Sequence, residues 1–365
     1  MNLARRCALG IVVTLLVSGN PMYPKTLIPA NNPHIQYGGR WDRSDSSQAR
    51  YSWPGVYLSA KFSGTSIGVR LNDHTNYFNV YIDGKLRRVF HGTQAGEAEY
   101  LLAEGLDDTV HTFRLSRRNI TFGEPYSFAG ILLDSNAILL PPSSLPERKI
   151  EFVGDSFTAA ESNESKEQDV PWEARFPVTN IDEGFAPIIA RHFQAQYTTT
   201  CRSGSGMLCD WRGDSVETIP YRFDRALMEA VEPKWDFTRW IPDVVVICLG
   251  LNDHSGLRDK KGFISIDNAR RFRAAYHAFV DRIRRLYPSV KIVAVAAFPE
   301  WIRTNVSQVI DEERTNGHKD VYYTTFDEFP GGYVANGHPT VATHQKMADQ
   351  IIQSMESFHL FPAGK

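Results

Sequence analysis

The chain has 365 residues, of which 42% are hydrophobic and 22% are charged, and its formal net charge at pH 7 is −2. This composition supports folded hydrophobic cores and excludes a disordered chain, while the length allows two domains. Because basic and acidic side chains nearly balance, the charge gives no reason to expect a nucleic-acid partner or binding to an anionic membrane surface.

Residues 1–20 have the three parts of a secretory signal peptide. Arg5 and Arg6 form a short positive region, residues 8–17 form an apolar run, and residues 17–19 offer small side chains for cleavage. The apolar run is too short to span a bilayer. We therefore expect an exported protein, secreted or periplasmic, with no membrane partner.

Residues 31–140 have the pattern of an all-β domain. Hydrophobic and polar residues alternate over 56–62 and 77–82, and Asp83-Gly84 then supplies a hairpin turn. Short alternating strands separated by turn signals predict a β-sandwich or jelly roll. We expect this domain to pack on the rest of the chain and to complete one wall of a cleft.

A linker and a different hydrophobic pattern follow. Residues 141–148 are rich in proline and serine and lack an apolar period, which indicates a linker. Continuous apolar runs over 243–249 and 291–298 are typical of strands that are buried on both faces. Because stretches with helical spacing lie between such runs, residues 149–360 predict a doubly wound parallel α/β sheet.

Four short motifs in this second region carry the groups that ester hydrolysis needs. Ser156 follows the first strand, a loop with Gly204 and Gly206 follows the second, Asn252 follows the third, and His338 precedes the last helix. A histidine can act as general base for a serine nucleophile. Backbone N–H groups and an asparagine amide can stabilise the oxyanion of the tetrahedral intermediate. The order of the motifs therefore favours a serine esterase.

The same motifs resemble the four blocks of the SGNH, or GDSL-type, hydrolases. They are GDS at 154–156, the glycine at 206, GLND at 250–253 and HP at 338–339. An N-terminal β domain joined to an SGNH domain is similar to carbohydrate esterase family 2, whose members remove acetyl groups from plant polysaccharides. The resemblance extends over nearly all of the chain that follows the signal peptide.

The resemblance implies a role for each matching residue. Ser156 is the nucleophile and His338 is the base, and the oxyanion hole consists of the Ser156 N–H, a backbone N–H at Gly206 (or Gly204) and the Asn252 side chain. The resemblance also implies an exported O-acetyl esterase that acts on acetylated xylan, mannan or glucomannan through an acetyl-enzyme, without a metal or another cofactor. The sequence carries no signal of an oligomeric state.

One position departs from the common SGNH pattern. Most SGNH enzymes have an aspartate shortly before the histidine, whereas Ala335 and Asn336 stand there in this chain. Asp327 and Glu328 are the nearest upstream carboxylates, and they are ten or more residues away from His338. We therefore predict a Ser156–His338 dyad in which a backbone carbonyl orients the imidazole.

Two tryptophans are candidate substrate contacts, because an aromatic face can stack on a pyranose ring. Trp301 follows the strand at 291–298, and Trp211 follows the glycine loop. Either ring can instead belong to the core. Two other functions remain open: a short-chain lipase or arylesterase on the same scaffold, and a glycan-binding protein without catalytic activity.

The cysteines leave one further alternative open. Cys201 and Cys209 flank the glycine loop, and an exported protein would allow a disulfide between them. Their spacing alone does not show that the two sulfur atoms meet. Cys248 lies in an apolar run and is expected to be a buried thiol.

Overall fold

The computed structural model describes residues 25–361, and the predicted signal peptide at residues 1–20 lies outside them. Within the described residues, no helix has a stretch that is both long and apolar enough for a transmembrane span.

The first domain is a β-sandwich of two antiparallel sheets. Its strands are β1 (Lys25–Pro29), β2 (Gln36–Gly38), β3 (Ala49–Tyr51), β4 (Tyr57–Gly64), β5 (Ile67–Asn72), β6 (Tyr77–Ile82), β7 (Lys85–His91), β8 (Ala98–Ala103), β9 (Thr109–Arg117), β10 (Tyr126–Asp134) and β11 (Leu139–Leu140). One sheet has the order β1-β10-β5-β8 with β3 beside β10, and the other has the order β11-β4-β9-β6-β7 with β2 beside β4. The sandwich includes β1, which lies ahead of the expected start of the domain at residue 31.

The alternation in the sequence explains the packing of this domain. Half-buried and buried residues alternate along the whole of β4, because one face of its sheet contacts the core and the other does not. The aromatic side chains of Trp53, Phe62 and Phe113 fill that core and are at most 1% exposed. Residues 141–147 then run between β11 and β12, with neither a strand nor a helix.

The second domain contains a parallel sheet with the order β13-β12-β14-β15-β16. Its strands are β12 (Arg148–Gly154), β13 (Ala195–Cys201), β14 (Val244–Cys248), β15 (Lys291–Ala296), β16 (Val321–Thr325) and the separate hairpin of β17 (Tyr333–Val334) and β18 (His338–Pro339). Its helices are α1 (Phe185–His192), α2 (Ile219–Arg222), α3 (Leu251–Gly256), α4 (Ile266–Leu286), α5 (Glu300–Thr315) and α6 (Val341–Ser357), with 3₁₀ turns at Glu173–Arg175 and Ile181–Glu183. The predicted doubly wound α/β domain is confirmed.

Burial and capping account for these elements. All five residues of β14 are buried, which explains its continuous apolar run. Helix α4 buries an apolar stripe that includes Phe272, Phe279 and Ile283, and it begins after Ser265, whose side chain accepts a hydrogen bond from the Asn268 N–H. Helices pack in pairs, α1 with α6 and α4 with α5.

The strand order determines where a ligand can bind. From β12 the chain passes to β13 on one side of it and then crosses to β14 on the other side. At such a switch point the connections diverge and leave a crevice at the carboxyl ends of the strands. The residues that follow β12 and β14, which include Ser156 and Asn252, therefore lie beside this crevice.

The two domains are joined by a buried ion pair. Arg40 of the sandwich donates to Glu151 of β12 over 2.8 Å, and neither side chain is more than 1% exposed. Glu151 also accepts hydrogen bonds from Thr200 (2.7 Å) and Tyr287 (3.0 Å). Since a buried charge must be paired and hydrogen-bonded to be tolerated, this arrangement depends on both domains being present.

All three cysteines of the described chain are buried free thiols, so the Cys201–Cys209 disulfide does not form. The Cys201 side chain packs with the apolar core of the first domain. Cys209 lies in a loop whose backbone is bound to Asp253. Cys248 is the buried thiol that the sequence predicts.

Candidate active site

A cavity of about 740 Å³ lies at the crevice beyond β12 and β14. Its lining includes Ser156, Gly204, Trp211, Asn252 and His338. The structure therefore brings together residues from the four motifs, although 182 positions separate the first from the last. A serine, a histidine and an amide that line one cavity are the groups that nucleophilic ester cleavage uses.

Ser156 lies on a tight turn that begins as β12 ends. The buried Asp155 before it accepts hydrogen bonds from the Phe157 N–H (3.0 Å) and from the Asn252 amide (3.1 Å). Burial raises the pKa of the Asp155 carboxyl to about 7, partly offset by the Phe157 hydrogen bond. Asp155 thus ties the serine turn to Asn252, the residue that follows β14.

The glycine loop is held by one buried carboxylate. Asp253 accepts hydrogen bonds from the N–H groups of Met207 (2.8 Å), Leu208 (2.6 Å) and Cys209 (3.0 Å). Burial raises the pKa of Asp253 to about 6, although these three hydrogen bonds act in the opposite direction. Sequence reasoning assigned no role to Asp253, although it stands in the quoted GLND motif.

Gly206 is required by this packing. A Cβ at Gly206 would lie 2.4 Å from the Asp253 carboxylate and 2.2 Å from the Cys209 carbonyl oxygen. Gly206 is not among the residues that line the cavity, whereas Gly204 is, with a φ of +78° that favours glycine. Within the described part of the chain, neither the Ser156 N–H nor the Gly204 N–H donates a hydrogen bond. The geometry therefore favours Gly204 over Gly206 as an oxyanion donor.

His338 is oriented by a backbone carbonyl. Its Nδ1 lies 2.7 Å from the Ala335 carbonyl oxygen, as the sequence predicts. A proton on Nδ1 leaves Nε2 free to accept one. The Asp327 carboxylate binds Gln350 instead (2.7 Å), and Glu328 is exposed.

The comparisons with known proteins assign each domain. Residues 37–142 match the family model described as carbohydrate esterase 2 N-terminal, and residues 152–364 match that of the GDSL-like lipase/acylhydrolase family. The chain is 32% identical over 314 residues to an acetylxylan esterase / glucomannan deacetylase of Cellvibrio japonicus, with 84% of this chain and 85% of that protein covered. The chain belongs to carbohydrate esterase family 2. Its second domain is a carboxylic-ester hydrolase domain.

Two further relatives support the assignment to family 2. The chain is 31% identical over 339 residues to the cellulase/esterase CelE of Acetivibrio thermocellus, and the match covers 90% of this chain but only 40% of CelE. The solved structure of a family two carbohydrate esterase from Clostridium thermocellum in complex with cellohexaose has a TM-score of 0.79 and 28% identity. That similarity covers 88% of this chain and 98% of the solved one.

The two candidate tryptophans of this family 2 protein lie in different environments. Trp211 lines the cavity and is 58% exposed, as a substrate contact requires. Trp301 is not among the residues that line the cavity, and its role as a substrate contact stays a prediction. It lies in the first turn of α5, where its ring packs 5.0 Å from the Phe272 ring and 5.9 Å from the His254 ring, measured between centroids.

Sequence reasoning missed two aromatic residues of the cavity wall. Phe122 and Trp172 both line the cavity and stack with ring centroids 4.9 Å apart. Phe122 follows β9 in the first domain, whereas Trp172 belongs to the second. The prediction that the first domain completes a wall of the cleft is confirmed by Phe122.

A missed carboxylate also lies beside the histidine. Glu161 is 2% exposed and lines the cavity, with Oε1 3.9 Å from His338 Nε2 and 2.6 Å from Arg175. Its only sequence signal is that it follows Ser156 by five positions.

A second cavity, of about 550 Å³, lies between the two domains. Its lining includes Lys61, Arg114 and Asp182 but no histidine or cysteine. The nucleophile–base pair therefore lies in the first cavity.

Proposed function

We propose that this protein is an exported serine O-acetyl esterase that removes acetyl groups from hemicellulose sugars such as acetylated xylan, mannan or glucomannan. The observation that carries the proposal is the shared cavity of Ser156 and His338, with the imidazole oriented by the Ala335 carbonyl. The names of the relatives from Cellvibrio japonicus and Acetivibrio thermocellus support a carbohydrate ester as the substrate.

The reaction begins with a proton transfer. His338 Nε2 takes the proton of the Ser156 hydroxyl as its oxygen attacks the acetyl carbonyl carbon, which produces a tetrahedral oxyanion. The imidazolium then gives that proton to the departing sugar oxygen, and the acetyl group stays on Ser156. A water molecule, deprotonated by His338, attacks the acetyl-enzyme and releases acetate, which restores the serine.

Three donors stabilise the oxyanion in this proposal. They are the backbone N–H groups of Ser156 and Gly204 and the side-chain amide of Asn252. Asn252 Nδ2 donates to the Ser205 carbonyl and to Asp155, each over 3.1 Å, so binding an oxyanion exchanges one of these two contacts. Fixed donors aimed at developing charge are among the largest contributions to enzymatic rate enhancement.

Acetate release from acetylated xylan and acetylated glucomannan by wild type and by Ser156→Ala tests this function. We expect kcat to fall by at least about 10³-fold in the variant, because removal of the nucleophile leaves only the contributions of binding and the oxyanion hole. Equal rates for the two proteins would reject the serine mechanism. Turnover that depends on Ser156 would also exclude a purely glycan-binding protein.

The identity of the ester is tested separately. A short-chain lipase or arylesterase would hydrolyse simple esters of increasing acyl length, whereas a polysaccharide deacetylase requires an acetyl group on a sugar. We expect kcat/KM to fall steeply for esters whose acyl group is longer than acetyl. NMR of the products from a mixture of acetylated mannan and xylan then identifies the sugar and the position.

A further inference from the structure

The His338 side chain lacks a carboxylate at the nitrogen where serine hydrolases commonly have one. In a Ser-His-Asp triad, the carboxylate orients the imidazole and stabilises the imidazolium that forms during the reaction. Here the Ala335 carbonyl oxygen contacts Nδ1 at 2.7 Å. A neutral carbonyl fixes the orientation, but it carries no full negative charge to stabilise the imidazolium.

A buried carboxylate lies on the other side of the ring. Glu161 Oε1 is 3.9 Å from His338 Nε2, and the Glu161 side chain is 2% exposed. Its backbone N–H donates to the Ser156 carbonyl oxygen over 3.0 Å, so Glu161 belongs to the same turn as the nucleophile. Its distance from Nε2 is too long for a hydrogen bond but within the 4 Å over which two opposite charges interact.

Arg175 connects this carboxylate to the histidine loop. Its guanidinium donates to Glu161 (2.6 Å), to the side-chain oxygen of Asn336 (2.8 Å) and to the Val170 carbonyl (2.8 Å). The Arg175 guanidinium and the Glu161 carboxylate form an ion pair. The turn that carries Ser156 and the loop that carries His338 are thus joined through a charged pair.

A second histidine near His338 is held neutral by burial. His344 of α6 is fully buried, and burial together with the nearby His338 lowers its pKa to about 3. Its Nδ1 accepts a hydrogen bond from the Phe185 N–H (3.3 Å). Glu161 is the carboxylate that lies within 4 Å of His338 among the described residues, and Arg175 reaches the histidine loop through Asn336.

We propose that Glu161 is a positioning residue that supplies, at Nε2, the negative charge that the dyad lacks at Nδ1. This inference rests on the proposed function of Ser156 and His338. When the Ser156 proton moves to Nε2, the imidazole becomes a cation. The Glu161 carboxylate stabilises this cation and neither gains nor loses a proton. The proton then passes to the leaving oxygen, and Glu161 forms no bond to the substrate.

The test is the pH profile of Glu161→Gln, with p-nitrophenyl acetate and acetylated xylan as substrates. Glutamine keeps an acceptor for Arg175 but removes the charge. If the carboxylate stabilises the imidazolium as proposed, its removal shifts the acidic limb of kcat/KM to lower pH. We also expect kcat at the optimum to fall by about 10- to 100-fold, and Glu161→Asp to recover part of this loss.

Glu164→Gln is the matched control, because Glu164 lies in the same segment but pairs with Arg118 and Asn180. We expect it to leave both the pH profile and kcat unchanged. Arg175→Gln removes the positive charge of the pair, and we expect the acidic limb of kcat/KM for this variant to shift to higher pH. A merely structural role for the Glu161–Arg175 pair would lower kcat in both variants and leave the two acidic limbs where they are in the wild type.

Two results would overturn the inference. The first is a wild-type acidic limb in a folded Glu161→Gln protein, whether or not its kcat falls. The second, if that variant does not fold, is an unshifted acidic limb in Arg175→Gln. Either result leaves the proposed function intact as long as Ser156→Ala is inactive, whereas an active Ser156→Ala protein rejects the proposed function itself.

Discussion

The backbone before His338 adopts an unusual conformation. Ala335, Asn336 and Gly337 have φ angles of +39°, +64° and +86°, a region that costs about 1–2 kcal/mol for a residue with a Cβ. Two hydrogen bonds compensate, from the Ala335 N–H to the Glu167 carbonyl (2.8 Å) and from the Asn336 N–H to the Gln168 carbonyl (2.6 Å). The strained turn directs the Ala335 carbonyl oxygen at the imidazole.

This geometry predicts which carboxylates are dispensable. We expect Asp327→Ala and Glu328→Ala to keep kcat within about twofold of wild type, because neither side chain contacts His338. His338→Ala should lose about 10⁶-fold, as removal of the general base does in subtilisin. The measurement is kcat for acetate release by the three folded variants. A loss in either acidic variant as large as that in His338→Ala would identify it as the third member of a triad.

At the scale of elements, the start of α3 determines the shape of the glycine loop. Asp253 lies in the first turn of α3, and its two oxygens bind three consecutive N–H groups of the loop. A carboxylate accepts at both oxygens, whereas an amide accepts at only one. The position of the Gly204 N–H, which we assign to the oxyanion hole, thus depends on a charge outside the cavity.

Asp253→Asn tests this dependence. The NH₂ group of the new asparagine would face either the Met207 N–H or the N–H groups of Leu208 and Cys209. In either orientation, at least one buried hydrogen bond to a charged group is lost. We expect the free energy of unfolding to fall by about 2–3 kcal/mol and kcat to fall at least about tenfold, with little change in KM. Urea unfolding and steady-state kinetics measure the two effects.

Asp259→Asn is the control for this prediction. Asp259 also accepts two backbone N–H groups, from Lys261 (2.8 Å) and Phe263 (2.9 Å), but in an exposed turn. We expect a change of less than about 0.5 kcal/mol in stability, as for most surface substitutions, and unchanged kinetics. Wild-type kcat in Asp253→Asn would show that the loop keeps its shape without the carboxylate.

The sequence predicts the elements of this molecule better than their contacts. The alternating pattern of β4 follows from burial on one face, and the apolar run of β14 follows from burial on both faces. The two strands were therefore predictable. The order of the motifs also predicts that Ser156 and Asn252 lie at one edge of the sheet, because both follow parallel strands. No such periodicity marks Glu161, which lies in an irregular segment whose position depends on tertiary contacts.

The sequence does not indicate the surroundings of Trp301 or of the two loop glycines, for a related reason. Trp301 follows β15 closely, as a cleft residue would, but α5 begins at Glu300 and turns the indole ring toward Phe272. For the glycine loop, the sequence contains Gly204 and Gly206 without indicating which one faces Asp253. Such distinctions depend on distances between segments that are far apart in the sequence.

At the scale of the whole molecule, Arg40 and Glu151 make the stability of one domain depend on the other. The Arg40 guanidinium also lies over the Phe223 ring of the second domain, 4.9 Å from its centroid. Removing one member of a buried ion pair leaves an uncompensated charge, which costs about 3–5 kcal/mol. Because Glu151 lies in β12, just ahead of Ser156, the unpaired charge destabilises the strand that positions the nucleophile.

We therefore expect Arg40→Met to lower the free energy of unfolding by about 3–5 kcal/mol while the protein still unfolds in a single transition. Arg40→Met combined with Glu151→Gln should recover part of the loss, since the unpaired charge is gone. Arg43→Met is the control, because Arg43 is exposed and stacks on Tyr37 of its own domain; its effect should stay below about 0.5 kcal/mol. Urea unfolding followed by far-UV circular dichroism and by tryptophan fluorescence measures all four proteins. Two separate transitions, of which Arg40→Met shifts only one, would mean that the sandwich and the hydrolase domain fold independently and that the ion pair does not couple them.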